Sequence, residues 1–247
     1  NNILERNNLT NNGAGFYSAS SACNAFNENM IVENVGAAIL VWQGYLCTFA
    51  RNTIIGNGHG LWLDPVSSCL IQENSIVNNQ EVGVRFHGYS YDNLVIGNNI
   101  TGNMEGLFFH DTTGTVILHN TISKSERGIA IYGGSSINVW LKIQYNNIIN
   151  NMIGLWQSEY QYHCAHVSQN NFINNYVQAK NEEQSIIQWN AEYPSGGNYW
   201  SDYTGLDLCS GSYQNLTGCD GIGDTPYVID KYNLDRYPCL LYTSPSP

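Results

Sequence analysis

Basic side chains are scarce in this chain. Only nine Lys and Arg residues stand against 20 Asp and Glu, and the formal net charge is −11. Nucleic-acid binding needs Lys and Arg patches that neutralise phosphates, so this balance argues against a nucleic-acid partner. The sequence also has no apolar run close to the roughly 18 residues of a membrane-spanning helix, so we expect no membrane span in it.

Helical patterning is missing as well. No window of about 12 residues keeps apolar residues at helical spacing without an interrupting Asn or Gly, and both residues are unfavourable inside helices. The chain instead repeats a phrase that contains Asn and closes on an apolar residue, about every 23 residues. We read the phrases as Asn7-Asn8-Leu9, Glu28-Asn29-Met30, Asn52-Thr53-Ile54, Asn74-Ser75-Ile76, Asn98-Asn99-Ile100, Asn120-Thr121-Ile122, Asn146-Asn147-Ile148 and Asn170-Asn171-Phe172.

Each repeat contains three short segments with the period of a β-strand. In most repeats a second Asn follows three positions after the phrase, and a Gly follows six positions after it. After the Gly, inward and outward positions alternate, as in Leu61-Trp62-Leu63 and Leu107-Phe108-Phe109. A third short apolar run, such as Val116-Ile117-Leu118, precedes the next phrase. We therefore assign three strands to each coil, with Asn and Gly at the corners.

Stacking of these coils determines the predicted fold. Each coil returns to the same point, so strands of successive coils run parallel, and parallel crossovers are right-handed. The sequence predicts an all-β, right-handed, single-stranded parallel β-helix of about eight coils, with Asn side chains stacked into amide ladders. We expect the solenoid over residues 1–189 and an irregular C-terminal cap over 190–239. Residues 240–247 break the pattern and are interpreted as a non-native tail.

The seven cysteines allow several readings. Cys23, Cys47 and Cys69 each lie seven residues before the end of their phrase, so they should stack in adjacent coils at disulfide distance. A buried thiol ladder, one disulfide with a spare thiol, and a set of three metal ligands all remain open. Cys209 and Cys219 flank a Gly/Ser loop, and we predict a local disulfide between them.

The C-terminal part carries a family resemblance. The strings GGNYWSDYTGLD at 196–207, DGIGDTPYVID at 220–230 and DRYP at 235–238 follow the Asn/Gly repeats. Together they resemble the NosD-type family, β-helix proteins of pectate-lyase-like architecture named for a periplasmic copper-binding protein. The family overlaps with the carbohydrate-binding and sugar-hydrolase (CASH) repeat domains. The resemblance implies a periplasmic, secreted or cell-surface location, and a glycan or a metalloprotein as partner. No Met-rich or His-rich motif accompanies it.

The strand after the corner Gly carries the candidate binding residues on its outward face. Two positions beyond the Gly stand Tyr17, Ala38, Trp62, Arg85, Phe108, Ala130 and Trp156. Aromatic rings pack against apolar sugar faces, so we predict carbohydrate binding by Trp62, Phe108, Trp156 and Tyr132. Four positions beyond the Gly, Asp64, His87 and His110 fall on consecutive coils and could hold copper or zinc. Arg85 could bind a uronate carboxylate through two hydrogen bonds.

Two further site predictions follow from the acidic residues. A polysaccharide lyase or glycoside hydrolase is the competing function, with Arg85, His87, Asp64 and Asp111 as catalytic residues. Asp220 and Asp224 flank a Gly-Ile-Gly turn that resembles a short calcium loop, and a plain turn is the alternative. No organic cofactor is expected. A purely structural surface-layer or adhesive rod remains the third functional class.

Overall fold

The chain folds into a solenoid of three parallel sheets. A computed structural model describes residues 2–133, 139–158, 163–182 and 186–241. Residues 242–247 of the expected non-native tail lie outside the described residues. Within the described part no helix is long and apolar enough to cross a membrane. The predicted right-handed parallel β-helix is confirmed, and each coil contributes one strand to each sheet.

The first sheet contains the strands of the Asn phrases. Its central positions are apolar and fully buried, as at Ile54, Ile76, Ile100 and Ile122. Its strands are β2 (Asn8–Thr10), β5 (Met30–Val32), β8 (Thr53–Ile55), β11 (Ser75–Val77), β14 (Asn99–Thr101), β17 (Thr121–Ser123), β20 (Asn147–Ile149), β23 (Asn171–Ile173) and β25 (Tyr199–Trp200).

The second sheet follows the corner that carries the Gly residues. Its strands are β3 (Phe16–Ala22), β6 (Ala37–Tyr45), β9 (His59–Ser67), β12 (Val82–Phe86), β15 (Glu105–His110), β18 (Arg127–Tyr132), β21 (Ile153–Gln157) and β24 (Val177–Asn181). Close packing explains the Gly preference. A Cβ added at Gly106 would lie 2.5 Å from the carbonyl oxygen of Gly128, one coil further on.

The third sheet closes the coil. Its strands are β1 (Ile3–Glu5), β4 (Ala25–Asn27), β7 (Thr48–Ala50), β10 (Leu70–Gln72), β13 (Leu94–Ile96), β16 (Thr115–Leu118), β19 (Val139–Gln144) and β22 (His163–Ser168). Inward side chains of all three sheets form one continuous apolar core along the rod. Two hairpins follow in the C-terminal segment, β26 (Cys209–Ser210) with β27 (Leu216–Thr217), and β28 (Tyr227–Val228) with β29 (Leu234–Asp235).

Amide ladders form at the corners, as the repeated Asn predicted. The corner before the first sheet carries a continuous ladder in which each amide donates to Oδ1 of the next Asn at 2.9 to 3.1 Å. Its members are Asn7, Asn29, Asn52, Asn74, Asn98, Asn120, Asn146, Asn170 and Asn198. The corner therefore satisfies buried polar groups from coil to coil without water.

Two sequence assignments in the second coil were out of register, one by one position and the other by two. Asn29, and not Glu28, opens that phrase, because the Asn29 amide stands in the ladder. Leu40 and not Ala38 aligns with Trp62 on the outward face, and Ala38 is buried. The Ala38 assignment was counted from the misplaced phrase, and an extra corner residue between Asn34 and the strand adds the second position without disturbing the ladder.

The one-position shift of the second phrase also changes the predicted column of cysteines. Cys47 and Cys69 are buried free thiols in adjacent coils, and the Cys47 N–H donates to Cys69 Sγ at 3.3 Å. Asn24 aligns with Cys47, so Cys23 is outside the column and is exposed. Cys209 and Cys219 are free in the structure, and the predicted disulfide between them is wrong. The Cys219 thiol instead donates to the carbonyl of Asp207 at 3.0 Å.

The C-terminal segment covers the last coil. Trp200 in β25 extends the first sheet and stacks on Phe172, with ring centroids 4.4 Å apart. Tyr227 stacks on the other face of Trp200 at 4.3 Å, and Trp189 packs beside it. These rings close the open apolar end of the solenoid, which would otherwise face water.

Candidate functional site

The outward face of the second sheet brings the predicted residues into register. Trp62, Arg85 and Phe108 are direct partners in β9, β12 and β15, and Ala130 and Trp156 continue the same row. The residue that follows β12, His87, aligns with Asp64 before it and with His110 after it. The extra corner residue before Gly83 therefore leaves the predicted alignment of these side chains intact.

Arg85 lies between two aromatic rings. Its guanidinium carbon is 4.4 Å from the ring centroid of Trp62 and 4.8 Å from that of Phe108. Such contacts stabilise a cation through the ring quadrupole. Arg85 makes no ion pair and no hydrogen bond within the described residues, and its Nε is buried without a partner. Its terminal nitrogens are thus uncommitted hydrogen-bond donors on a half-buried side chain.

The rings of the aromatic row pack against one another. Rings of neighbouring coils contact each other: the centroids of Phe108 and Tyr132 are 4.6 Å apart with tilted planes, and those of Tyr132 and Trp156 are 4.9 Å apart in an edge-to-face contact. Trp156 is only 7% exposed and lies under the Arg127 guanidinium at 4.3 Å. Trp156 therefore keeps its predicted place in the outward row but is covered by its neighbours, and carbohydrate binding by Trp62, Phe108, Trp156 and Tyr132 stays a prediction. The physical reason is the coil spacing of about 4.8 Å, which brings the rings of neighbouring coils into contact.

A buried polar network adjoins this row and was missed from the sequence. Glu105, which is 3% exposed, accepts hydrogen bonds from Arg127 at 2.7 Å and from the Tyr132 hydroxyl at 2.6 Å. Burial, followed by the hydrogen bond to Glu105, raises the pKa of Tyr132 to about 12. A signal was present in the repeat, since Glu105 and Arg127 each precede the corner Gly of adjacent coils.

Two imidazoles stack beside the arginine. His87 Nδ1 is 3.1 Å from Asp64 Oδ2, the His87 and His110 rings stack at 4.7 Å, and His110 Nδ1 is 3.4 Å from Asp111 Oδ2. Burial is the main factor that lowers the pKa of His110, with Asp111 opposing it, and the neutral imidazole is therefore favoured. The structure thus brings together Asp64, His87, His110 and Asp111 in one row.

The geometry of this row bears on its predicted metal and catalytic roles. The two rings are nearly parallel, at 15°, and each carboxylate contacts a different imidazole. In the described ranges, no three His, Cys, Asp or Glu side chains converge as a metal site. The metal trio of Asp64, His87 and His110 stays a prediction, and so do the catalytic roles of Arg85, His87, Asp64 and Asp111.

The predicted calcium residues serve the backbone of the cap. Asp220 accepts hydrogen bonds from the N–H groups of Ile222 and Gly211, and Asp224 accepts from those of Leu208 and Cys209. This arrangement matches the plain turn that the sequence left as the alternative. Calcium binding at Asp220 and Asp224 stays a prediction.

Comparisons with known proteins identify the family. The family model described as periplasmic copper-binding protein (NosD) matches residues 1–106 and 88–205. A solved alginate lyase from Paenibacillus sp. strain FPU-7 is similar at 12% identity and a TM-score of 0.43, covering 80% of this chain and 89% of that chain. No protein of curated function matches the sequence.

Proposed function

The chain belongs to the NosD family of periplasmic copper-binding proteins, and on that premise we propose that it is an extracytoplasmic binding or accessory protein. Its ligand is an acidic glycan, and Arg85 on the outward face of the second sheet holds a uronate carboxylate of that glycan. The observation that carries this assignment is an uncommitted guanidinium clamped between Trp62 and Phe108.

The clamp suits the binding of a carboxylate. A guanidinium presents its donors in a planar fork that matches two carboxylate oxygens. Two flanking rings hold this fork in place before the ligand arrives, which lowers the conformational entropy lost on binding. His87, two residues further along the chain, and the stacked His110 offer additional polar partners for sugar hydroxyls.

Substitution at Arg85 tests this function. Arg85→Leu should weaken binding of oligogalacturonate about 10-fold or more, which is about 1.4 kcal/mol, and Arg85→Lys should lose part of the affinity because it lacks the fork. Titration calorimetry measures both affinities. Arg51→Leu is the matched control, because Arg51 is an exposed arginine paired with Glu28 at a corner. Unchanged affinity in Arg85→Leu would overturn the proposal.

A metal ion is the second candidate ligand, favoured by the imidazole pair. The lowered pKa of His110, due first to burial, supports a neutral imidazole, which is the form that coordinates metals. We expect Cu²⁺ to bind to the wild type and to bind more weakly to His87→Gln and His110→Gln. His119→Gln is the control, since His119 stacks on Tyr145 elsewhere. Equal Cu²⁺ titrations for all four proteins would remove this candidate.

The wild type and its variants also distinguish the remaining functional classes, an enzyme and a structural rod. A panel of uronate and neutral polysaccharides, with and without Cu²⁺, is assayed for retention and for new reducing or unsaturated ends. Product formation that depends on Arg85, His87, Asp64 and Asp111 would assign a lyase or a hydrolase instead. Absence of retention, products and metal uptake would leave the structural rod.

A further inference from the structure

The strands of the second sheet are longest in the first coils, where their extra residues form a ledge beside the Arg85 row. β3, β6 and β9 have seven, nine and nine residues, whereas β12 has five and β15 and β18 have six. The extra residues of β6 and β9 continue past the level of Asp64 and end at Tyr45 and Ser67. The second sheet is therefore wider at this end of the solenoid than in its middle.

This ledge contains a cavity of about 200 Å³. Gly44, Val66 and Ser67 are its buried lining residues, and Gln43, Tyr89 and Tyr91 are its exposed ones. Drug-sized ligands occupy pockets of roughly 300 Å³ and more, so this cavity suits a single ring. Gly44 is required there, because a Cβ would lie 2.5 Å from Val41 Cγ1 and 3.2 Å from Val66 Cγ1.

The lining combines aromatic surface with open polar groups. Tyr89 is 60% exposed and Tyr91 is 47% exposed, so both rings present apolar area to solvent. Within the described residues, the Ser67 hydroxyl makes no hydrogen bond. The Gln43 amide accepts from Ser20 at 2.9 Å and keeps its N–H donors unpaired there. Apolar faces beside hydroxyl and amide groups match the two-sided chemistry of a pyranose ring.

Charge distinguishes this cavity from the arginine site. None of its lining residues is charged. The ring that it accommodates is therefore an uncharged sugar, since a carboxylate would be desolvated here without a cation.

The cavity lies next to the row of side chains beside Arg85. Pro65 lines the cavity and directly follows Asp64, which contacts His87. The Asp64 carboxylate also lies against Gly88, the residue between His87 and Tyr89. About 10 Å of strand separates Asp64 from Ser67, so a short oligosaccharide can reach both sites.

We propose that this cavity is a subsite for a neutral pyranose adjacent to the uronate held by Arg85. This inference rests on the proposed function and specifies the substrate class: a glycan in which charged and uncharged sugars alternate. The oligosaccharide lies along the strands, across the long axis of the rod, with its uncharged unit between Tyr91 and Gln43.

Oligosaccharides of equal length test the subsite. The probes are oligohyaluronates, in which uronate and neutral sugars alternate, and oligogalacturonates, in which every sugar is charged. We expect the wild type to bind the alternating probe about 10-fold more tightly by titration calorimetry. Ser67→Trp fills the cavity and Tyr91→Ala removes a ring, and each should abolish that preference while leaving oligogalacturonate affinity unchanged. Tyr213→Ala, at a ring that is 86% exposed in the cap, is the matched control.

The outcomes separate the subsite from the proposed function. Equal affinity of the wild type for both probes, with Tyr91→Ala unchanged, overturns the subsite and leaves the arginine site in place. Preference for the alternating probe that survives Arg85→Leu supports the cavity and overturns the arginine site. Thermal unfolding of each variant is measured alongside, and Tyr91→Ala decides the question if Ser67→Trp does not fold.

Discussion

A single ladder asparagine satisfies both halves of its amide inside the solenoid corner. Oδ1 of Asn98 accepts from the backbone and side-chain N–H groups of Asn74, both at 2.9 Å. Its Nδ2 donates to the carbonyls of Ile71 and Ile96 and to Oδ1 of Asn120 at 2.9 to 3.1 Å. The side chain is 1% exposed. Neither a hydroxyl nor a carboxylate can supply this combination of donors and acceptors.

The prediction at this scale is that Asn98→Asp destabilises the fold. The new oxygen would replace a donor that faces three acceptors, and it would bring a charge into a buried corner. We expect a loss of about 3 kcal/mol or more in the free energy of unfolding, measured in urea. Asn99→Asp makes the same chemical change at the adjacent exposed position and should stay within about 0.5 kcal/mol of the wild type. Equal losses in both variants would contradict the prediction.

At the scale of elements, the amide ladder ends on a carboxylate from the cap. Asp235 in β29 accepts from the backbone N–H of Asn198 at 2.7 Å, from Trp200 Nε1 at 3.0 Å and from the N–H of Tyr237 at 3.0 Å. Each earlier ladder Asn donates to the Asn of the next coil. Asn198 is the last member of the ladder, so its N–H groups need a different acceptor, and the carboxylate of Asp235 accepts from them without adding a donor of its own. Asp235 thereby connects the solenoid to the C-terminal hairpin.

This connection should make stability depend on pH. Burial outweighs the hydrogen bonds that Asp235 accepts and raises its pKa to about 6. Between pH 4 and 6 the folded state therefore holds a proton that the unfolded state has released. The contribution of Asp235 to stability is present at low pH and is lost as the pH rises through about 6.

The corresponding variant is Asp235→Asn, which cannot titrate. The free energy of unfolding of this variant should decrease less between pH 4 and 7.5 than that of the wild type, because the contribution of Asp235 is absent. Glu126→Gln, at an exposed position of the solenoid, serves as the control and should keep the wild-type slope. A slope in Asp235→Asn identical to that of the wild type would assign the pH dependence to other groups.

At the scale of the whole molecule, the net charge of −11 opposes the proposed acidic ligand at long range. Attraction is confined to the contact at Arg85, whereas repulsion extends over the Debye length of about 10 Å at 0.1 M salt. We expect the association rate of oligogalacturonate, measured by stopped flow, to rise roughly 2- to 10-fold between 50 and 300 mM salt. A neutral oligosaccharide is the control. A rate that falls with salt would indicate a basic docking surface instead.

The sequence by itself determined the fold, the stacking of the corner Asn residues and the register that places Arg85 between Trp62 and Phe108. The reason is the repeat: a strand alternates sides every residue, and each coil must return to its starting point. The same logic aligned His87 with Asp64 and His110. It failed in the second coil, where the phrase opens at Asn29 and not at Glu28, and where an extra corner residue follows Asn34.

Only the tertiary structure decided which way the side chains of neighbouring rungs turn. Periodicity placed Trp156 on the outward face, but Tyr132 and Arg127 cover it. It gave no account of the Glu105–Arg127–Tyr132 network, of the free thiols of Cys209 and Cys219, or of the cavity at Tyr91. These features depend on contacts between non-equivalent side chains, and a repeat specifies which residues are neighbours without specifying how unlike neighbours pack.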